Sequence, residues 1–343
     1  MNLFPSLIKG LTMLNISKEE LTKIKQSFKN KKIAVVGDMM LDGYFWGDVK
    51  RISPEAPVPI VEIENEFFRF GGAANVALNI LKLGGIPFPV GVIGNDQDGK
   101  KFNELLEKEK ITSEGIIVDL SRPTTIKTRV IAENQHIVRI DRESKLNISH
   151  EIENKIIFTL GNKINELDAI ILQDYNKGVL TKRLINEIIT LANENNKIIT
   201  VDPKFDNFLE YKNVTVFKPN KKETENIFGI RIQTDEDIVK AGERLLDKLQ
   251  SKFVLLTLGE LGVALFENNN SVKRIPTKAR KVADVSGAGD TVISTLTMAL
   301  AANADIYTSA YLANYAGGLV CEEVGIVPIE IEKLFNTIEE KVL

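Results

Sequence analysis

In the stretch ADVSGAGDTVIS, residues 283–294, Gly287, Ala288 and Gly289 stand directly before Asp290, and a helical pattern follows. Glycine at a helix start costs conformational entropy, so bare backbone there needs a reason. Successive N–H groups at a helix N-terminus make a cradle for an anion, helped by the positive end of the helix dipole. A carboxylate in such a cradle repels a phosphate unless a hydroxyl lies between them. Asp290 then accepts the hydroxyl's proton while Gly287, Ala288 and Gly289 neutralise a phosphoryl group in transfer. The same residues also read as a Gly-rich turn whose aspartate supports the dipole, and this stretch alone does not choose between the two.

Two more stretches have chemistry-bearing spacing. In GGAANVALNILKLGG, residues 71–85, Gly71 and Gly72 allow close approach of a ligand to backbone, and Asn75 lies one turn into a helix. The alternative is a Gly-rich helix start with a capping Asn. In KPNKKE, Lys218 is followed by Asn220 and Glu223, the latter two spaced for one helix face. Amide and carboxylate there can hold the water shell of Mg²⁺, or form a capping box, or both. GNDQDGKK fits G-x-x-x-x-G-K but ends in Lys101, and Asp96 and Asp98 would repel phosphates, which excludes a P-loop. No G-x-G-x-x-G follows a strand, which argues against a dinucleotide-dependent dehydrogenase.

The elements that must position these residues read as α/β. Residues 15–30 form an amphipathic helix with Ser17 as cap and Glu20 at capping-box spacing. KKIAVVGD is a buried strand, and the aromatic, Pro-punctuated segment at about 44–70 is a small β-flap. Strands are expected at PFPVGVIG, TIKTRVIA, HIVRI, DAIILQD, KIITVD, VTVFKP and FVLLTL, with helices near 99–110, 149–166, 181–195, 221–228 and 235–250. Three helices close the chain at about 288–303, 306–323 and 329–341. That alternation predicts a mostly parallel sheet covered on both faces. It divides the chain into an N-terminal extension, 1–30, and one domain, 31–343, with a lid. Ligands of such sheets bind past the carboxyl ends of the strands. Asp38, Asp42, Asn95, Asp96, Asp174, Lys177, Asp202, Lys204, Lys218 and Asn220 form that rim.

The 343 residues carry a net charge of −3, so no basic field argues for nucleic acid or an anionic membrane. No apolar run approaches a membrane span, the first 14 residues do not make a signal peptide, and a cytoplasmic location is expected. Cys321 stands alone beside only His136 and His150, which argues against an internal disulfide and against zinc.

In this order and at these distances, the motifs resemble the ribokinase-like carbohydrate kinases, the PfkB family, over about residues 31 to 335. The resemblance implies a three-layer α/β/α fold with a mostly parallel central sheet and a small β-lid. The lid closes over the sugar and often forms a homodimer interface. The resemblance also implies ATP and Mg²⁺, with Asp290 as catalytic base and Gly287, Ala288 and Gly289 as anion hole. Asn220 and Glu223 match the family's Asn-x-x-Glu motif, linked to Mg²⁺ and the ATP phosphates. Adenine is expected near Leu258, Gly259 and Asn314. Ser286 stands where the family usually has Thr, with the hydroxyl kept. Within the family, VVGDMMLDGYFWGDVKRISPEAPVPIVEI, and RISPEAPVP above all, is similar to the bacterial heptose-phosphate kinases, whether free-standing or the first half of the bifunctional ADP-heptose synthase. KTRVIAENQHIVRID, QDYNKG and VDPKFDNFLEYKNVTVFKPN share that likeness, while Gly43 departs from an expected Arg. This narrower likeness implies phosphorylation of D-glycero-D-manno-heptose 7-phosphate at O1, giving the 1,7-bisphosphate on the way to ADP-heptose for lipopolysaccharide.

Charge gives an independent check. A kinase acting on an already phosphorylated sugar needs cations for that phosphate. Lys127, Arg129, Arg139, Lys177 and Lys204 lie on or just after expected strands. Asp38, Asp42 and Asp174 are then candidates for sugar hydroxyls, or else turn caps. Two rivals remain: a fructokinase- or ribokinase-type enzyme on the same scaffold, and a catalytically silent nucleotide-binding protein.

Overall fold

The apolar runs IAVVG, AIILQ and FVLLT leave no side for water, and each becomes a central strand of a nine-stranded sheet. The structure, a computed structural model, describes residues 16–133, 135–268, 271–277, 285–323, 325 and 327–342. The first 15 residues and the opening of the ADVSGAGDT stretch lie outside them. Seven strands run parallel: β1 (Lys32–Gly37), β4 (Ile86–Gly94), β5 (Ile116–Asp119), β8 (Ala169–Gln173), β9 (Ile198–Asp202), β10 (Val216–Phe217) and β11 (Phe253–Thr257). An antiparallel edge, β12 (Val263–Glu267) and β13 (Ser271–Ile275), completes the order β13-β12-β11-β10-β9-β8-β1-β4-β5.

Side-chain alternation sorts the core into two layers. Ile33 and Val35 of β1 pack on one face with α1 (Lys18–Ser27), α2 (Ala73–Lys82), α3 (Gln97–Glu109), α8 (Ala288–Ala301), α9 (Ile306–Val320) and α10 (Ile331–Val342). Ala34 and Val36 face the other layer, with α4 (His150–Lys163), α5 (Lys182–Glu194), α6 (Lys221–Phe228) and α7 (Asp235–Leu249). The result is the expected three-layer α/β/α arrangement. α1 starts on the Ser17–Glu20 capping box read from the sequence.

The lid is wider than a flap at 44–70. It is a four-stranded sheet in the order β3-β2-β6-β7, from β2 (Met39–Ile52), β3 (Pro59–Gly72), β6 (Thr125–Ala132) and β7 (Gln135–Arg142). TIKTRVIA and HIVRI, assigned above to the main sheet, therefore belong to the lid. The reason lies in their pattern: Lys127 and Arg129 alternate with Ile126, Thr128 and Val130, the signature of a one-sided sheet. β5, β12 and β13 went unrecognised, being short strands at the two sheet edges.

β1 and β8 close on each other so tightly that a Cβ on Gly37 would meet the Gln173 carbonyl oxygen at 1.9 Å. Gly37→Ala is therefore expected to cost roughly 2 kcal/mol or more of stability, as overpacking does. Chemical denaturation measures it, and an unchanged midpoint contradicts this account of the packing.

Candidate active site

Asp290 sits in the first turn of α8, 5% exposed, on a helix buried on nearly every side. Its Oδ2 accepts a hydrogen bond from Asn75 Nδ2 on α2 at 2.7 Å. Its Oδ1 accepts from the Tyr175 hydroxyl at 2.7 Å and from Gln173 Nε2 at 3.2 Å. Gln173, the last residue of β8, also reaches Asp202 Oδ2 at 3.3 Å. Asp202 in turn pairs with the buried ammonium of Lys218 at 3.0 Å. Burial pushes the Asp290 carboxyl up to about 6. The Asn75 and Tyr175 hydrogen bonds pull it back, Asp202 raises it and Lys218 lowers it.

Gly287 caps α8 with φ 80, the left-handed region that favours glycine. Ala288 N–H donates to the Val285 carbonyl at 3.3 Å, while the next amides belong to the first helical turn, which has no intrahelical acceptor for them. A Cβ on Gly289 would lie 3.6 Å from Asp202 Oδ2 and 3.9 Å from Lys218 Nζ. The helix start thus shares one space with the Lys218 ammonium and the Asp202 carboxylate paired with it.

Asn220 and Glu223 form the capping box of α6: Glu223 N–H donates to Asn220 Oδ1 at 2.8 Å, and Asn220 N–H to Glu223 Oε2 at 2.9 Å. Glu223 Oε1 accepts from Lys204 Nζ at 2.6 Å. Burial works against the Lys204 ammonium, but Asp202 and Glu223 outweigh it and its pKa rises. Beside this pair opens a cavity of about 400 Å³ lined by Asn220, Lys221, Arg231, Thr257, Leu258 and Gly259 among others. Asn314 is not part of that lining. Its amide donates to the Pro276 and Ile275 carbonyls at 2.9 and 3.4 Å and ties α9 to the end of β13.

On the lid, strand register puts Asp42, Tyr44, Lys127 and Arg129 on one face. Arg129 donates to Asp42 and lies over the Tyr44 ring. Lys127 is held 5.5 Å from the Tyr175 ring, and among the described residues it has no salt-bridge partner. Burial lowers its pKa, with Asp42 acting against that.

Several residues expected at the sugar already have partners within the protein. Asp38 spends both oxygens on backbone, accepting from Tyr175, Lys177 and Val179 N–H groups at 2.8, 3.1 and 3.2 Å. Asp174 is taken by Asn176 N–H and the Tyr211 hydroxyl, with burial, then the Asp38 charge, pushing it up to about 6. Both clamp the loop after β8. Arg139 pairs with Asp141 on the exposed strand β7, and Lys177 pairs with Glu143 at 2.6 Å. Gly71 and Gly72 serve packing: added Cβ atoms would lie 2.7 Å from Asp42 Oδ2 and 2.5 Å from the Asp38 carbonyl oxygen. Gly43 points away from Asp42, toward Thr128 and Phe68, so the departure there lies on the lid's opposite face. Tyr175 and Gln173 were missed as site residues. QDYNKG placed them at a strand end, but their partner lies 115 and 117 residues away.

No helix among the described residues is long and apolar enough to cross a membrane. Residues 30–332 match the family described as pfkB family carbohydrate kinase. The chain is 43% identical over 297 residues to bifunctional protein HldE of Helicobacter hepaticus, covering 87% of this chain and 61% of that one. It is 42% identical over 314 residues to bifunctional protein HldE of Desulfatibacillum aliphaticivorans, covering 92% and 64%. The chain thus spans less than two thirds of the length of these relatives. Among solved structures, Arabidopsis thaliana ribokinase complexed with ribose and ATP superposes with TM-score 0.69 at 19% identity, covering 90% of this chain and 99% of that one. Escherichia coli phosphofructokinase-2 in complex with fructose-6-phosphate gives 0.71 at 18%, covering 91% and 99%. At such identities these two establish the fold alone.

Asp38→Ala leaves three backbone N–H groups without their acceptor, at a cost of about 3–5 kcal/mol. A denaturation midpoint within error of the parent protein contradicts the clamp role.

Proposed function

Because the chain belongs to the pfkB family of carbohydrate kinases, we propose that it transfers the γ-phosphoryl group of ATP to O1 of D-glycero-D-manno-heptose 7-phosphate. The observation that carries the phosphotransfer is the buried Asp290 carboxylate, hydrogen-bonded from three sides, at a helix start that Lys218 shares. For the substrate, support comes from RISPEAPVP and its companion stretches, from the likeness to the HldE proteins, and from Lys127, a lid-face cation with no salt-bridge partner among the described residues. A neutral-sugar kinase has no need of that cation. Of the five cations picked out in the sequence, Lys127 and Arg129 are the ones this reading assigns to the 7-phosphate.

Above a pH of about 6 Asp290 is ionised and takes the proton from the acceptor hydroxyl as that oxygen attacks phosphorus. The amides at the start of α8, with Lys218 and Lys204, neutralise the phosphoryl oxygens. The cavity beside Leu258 and Gly259 suits the adenine. Glu223 uses one lone pair of each oxygen on its cap and on Lys204, which leaves capacity to hold the water shell of Mg²⁺. When bound, Mg²⁺ withdraws charge from the phosphates. The lid excludes water, so ATP is not simply hydrolysed. We assign the enzyme to the cytoplasm, as a homodimer through the lid: Val138 and Ile140 of edge strand β7 are 49% and 55% exposed, an apolar strip a second copy covers.

ATP turnover across heptose 7-phosphate, fructose and ribose separates the readings, and activity on the neutral sugars alone removes the heptose-phosphate assignment. Lys127→Ala is expected to raise KM for the sugar phosphate about tenfold or more, the worth of one charge-assisted contact, with little change in KM for ATP. Asp290→Asn is expected to lose at least about 100-fold in kcat, and the parent profile to fall on the acid side with an apparent pKa of about 6. The same group has a stability consequence. Its folded pKa lies above the unfolded one, so its favourable share is present in acid and is lost as pH rises from about 4 through about 6. At pH 7.5 the ionised, buried carboxylate is a cost, and Asp290→Asn should melt at a higher temperature.

A further inference from the structure

A base works through one lone pair, and Asp290 has few to offer. Oδ1 accepts two hydrogen bonds, from Tyr175 OH and Gln173 Nε2, and a carboxylate oxygen has two in-plane lone pairs. Among the described residues Oδ2 accepts one, from Asn75. The Tyr175 phenol keeps its proton, since burial, then the Asp290 charge, pushes its pKa well above the ordinary value. The ionised carboxylate has no hydrogen to give, so the phenol is the donor. Tyr175 is also fixed from behind. Its N–H is bound by Asp38, Asn176 next to it takes φ 54, and Lys127 and Lys204 stand 5.5 and 5.6 Å from its ring.

We propose that Tyr175 is a positioning residue for the base: with Gln173 it saturates Asp290 Oδ1, so that Oδ2 is the oxygen that takes the acceptor's proton. The inference rests on the kinase reading above and adds to it which atom reacts and what fixes it. The proton leaves the sugar hydroxyl, the new O–P bond forms as the bond to ADP breaks, and the proton ends on Oδ2. Two functions follow for the phenol. It turns the carboxylate so that the lone pair on Oδ2 faces the acceptor. It also keeps the base ionised near neutral pH against the burial that raises its pKa. The other charged groups that act on Asp290 are Asp202 on β9, which raises its pKa, Lys218 after β10, which lowers it, and Lys204 after β9, a further cation in its field. None of them fills a lone pair of Oδ1.

The test compares pH profiles of kcat from pH 5 to 9 for the parent protein, Tyr175→Phe and Gln173→Met, with saturating ATP and D-glycero-D-manno-heptose 7-phosphate. Losing one hydrogen bond to a charged group should move the acid limb of Tyr175→Phe up by about one pH unit, with the plateau above pH 8.5 kept within a few-fold. At pH 6 the rate relative to plateau then falls about fivefold. Gln173→Met should move the limb the same way, and it keeps the test alive if Tyr175→Phe does not fold, as thermal denaturation reveals. A folded variant whose limb stays in place, or which loses rate equally at all pH, overturns the proposal. A parent protein without sugar phosphorylation, or Asp290→Asn with full turnover, instead sinks the kinase reading itself.

Discussion

In the proposed reaction the Asp290 carboxylate has to be ionised, yet it lies where almost no water reaches it. An isolated charge in such a place is not tenable, so it stays ionised only through the donors brought to it. Those donors come from three separate elements. Asn75 arrives on α2, Gln173 at the end of β8, and Tyr175 on the loop beyond. Their convergence depends on α8 lying along the sheet between α2 and α9, which is why that helix carries small and apolar residues on every face.

The same logic spreads outward from Asp290. Asp202 sits beside Asp290 and is tolerable because Lys218 faces it in the interior. Asp38 and Asp174 are held by N–H and phenol donors, and they in turn fix the loop that presents Tyr175. Arg122 extends the clamp by donating to the carbonyls of Ser144, Leu146 and Lys177 at 3.2, 3.0 and 2.6 Å. The segment leading out of lid strand β7 is thereby tied to the loop carrying Tyr175. A buried polar network of this kind stays stable only when nearly every group is satisfied, and here the carboxylates outnumber what the lysines alone could compensate.

What was legible in the sequence was local. Both capping boxes, Ser17 with Glu20 and Asn220 with Glu223, join residues three apart, and their side chains are found bonded as the spacing predicts. Helix bounds and the buried central strands followed from hydrophobic period, since nothing beyond the segment itself was needed. The partners of Asp38 lie 137 to 141 residues away, and Asn75 meets Asp290 across 215. No spacing rule reaches that far. Asp38 therefore read as a rim residue for a sugar hydroxyl or as a turn cap, and Tyr175 was not singled out.

The lid is the case where the pattern was present but taken for the wrong sheet. β6 alternates charged and apolar residues, a sign of a surface with two unlike faces, whereas the central strands are apolar throughout. The polar face of the lid is the one that carries Asp42, Lys127 and Arg129, and Lys127 reaches the ring of Tyr175. Asp42 and Arg129 settle each other, with Arg129 stacked on Tyr44, but the Lys127 ammonium is half-withdrawn from water over the Tyr175 ring and has no salt-bridge partner among the described residues, though the Asp42 charge acts on it. A cation kept in that condition is worth its cost only if an anion comes to it. In the proposed reading that links the lid's polar face to the acceptor side of Asp290, with Lys204 and Lys218 on the donor side. Lys127 and Lys204 stand 5.5 and 5.6 Å from the ring of one tyrosine, Tyr175, whose hydroxyl bonds Asp290.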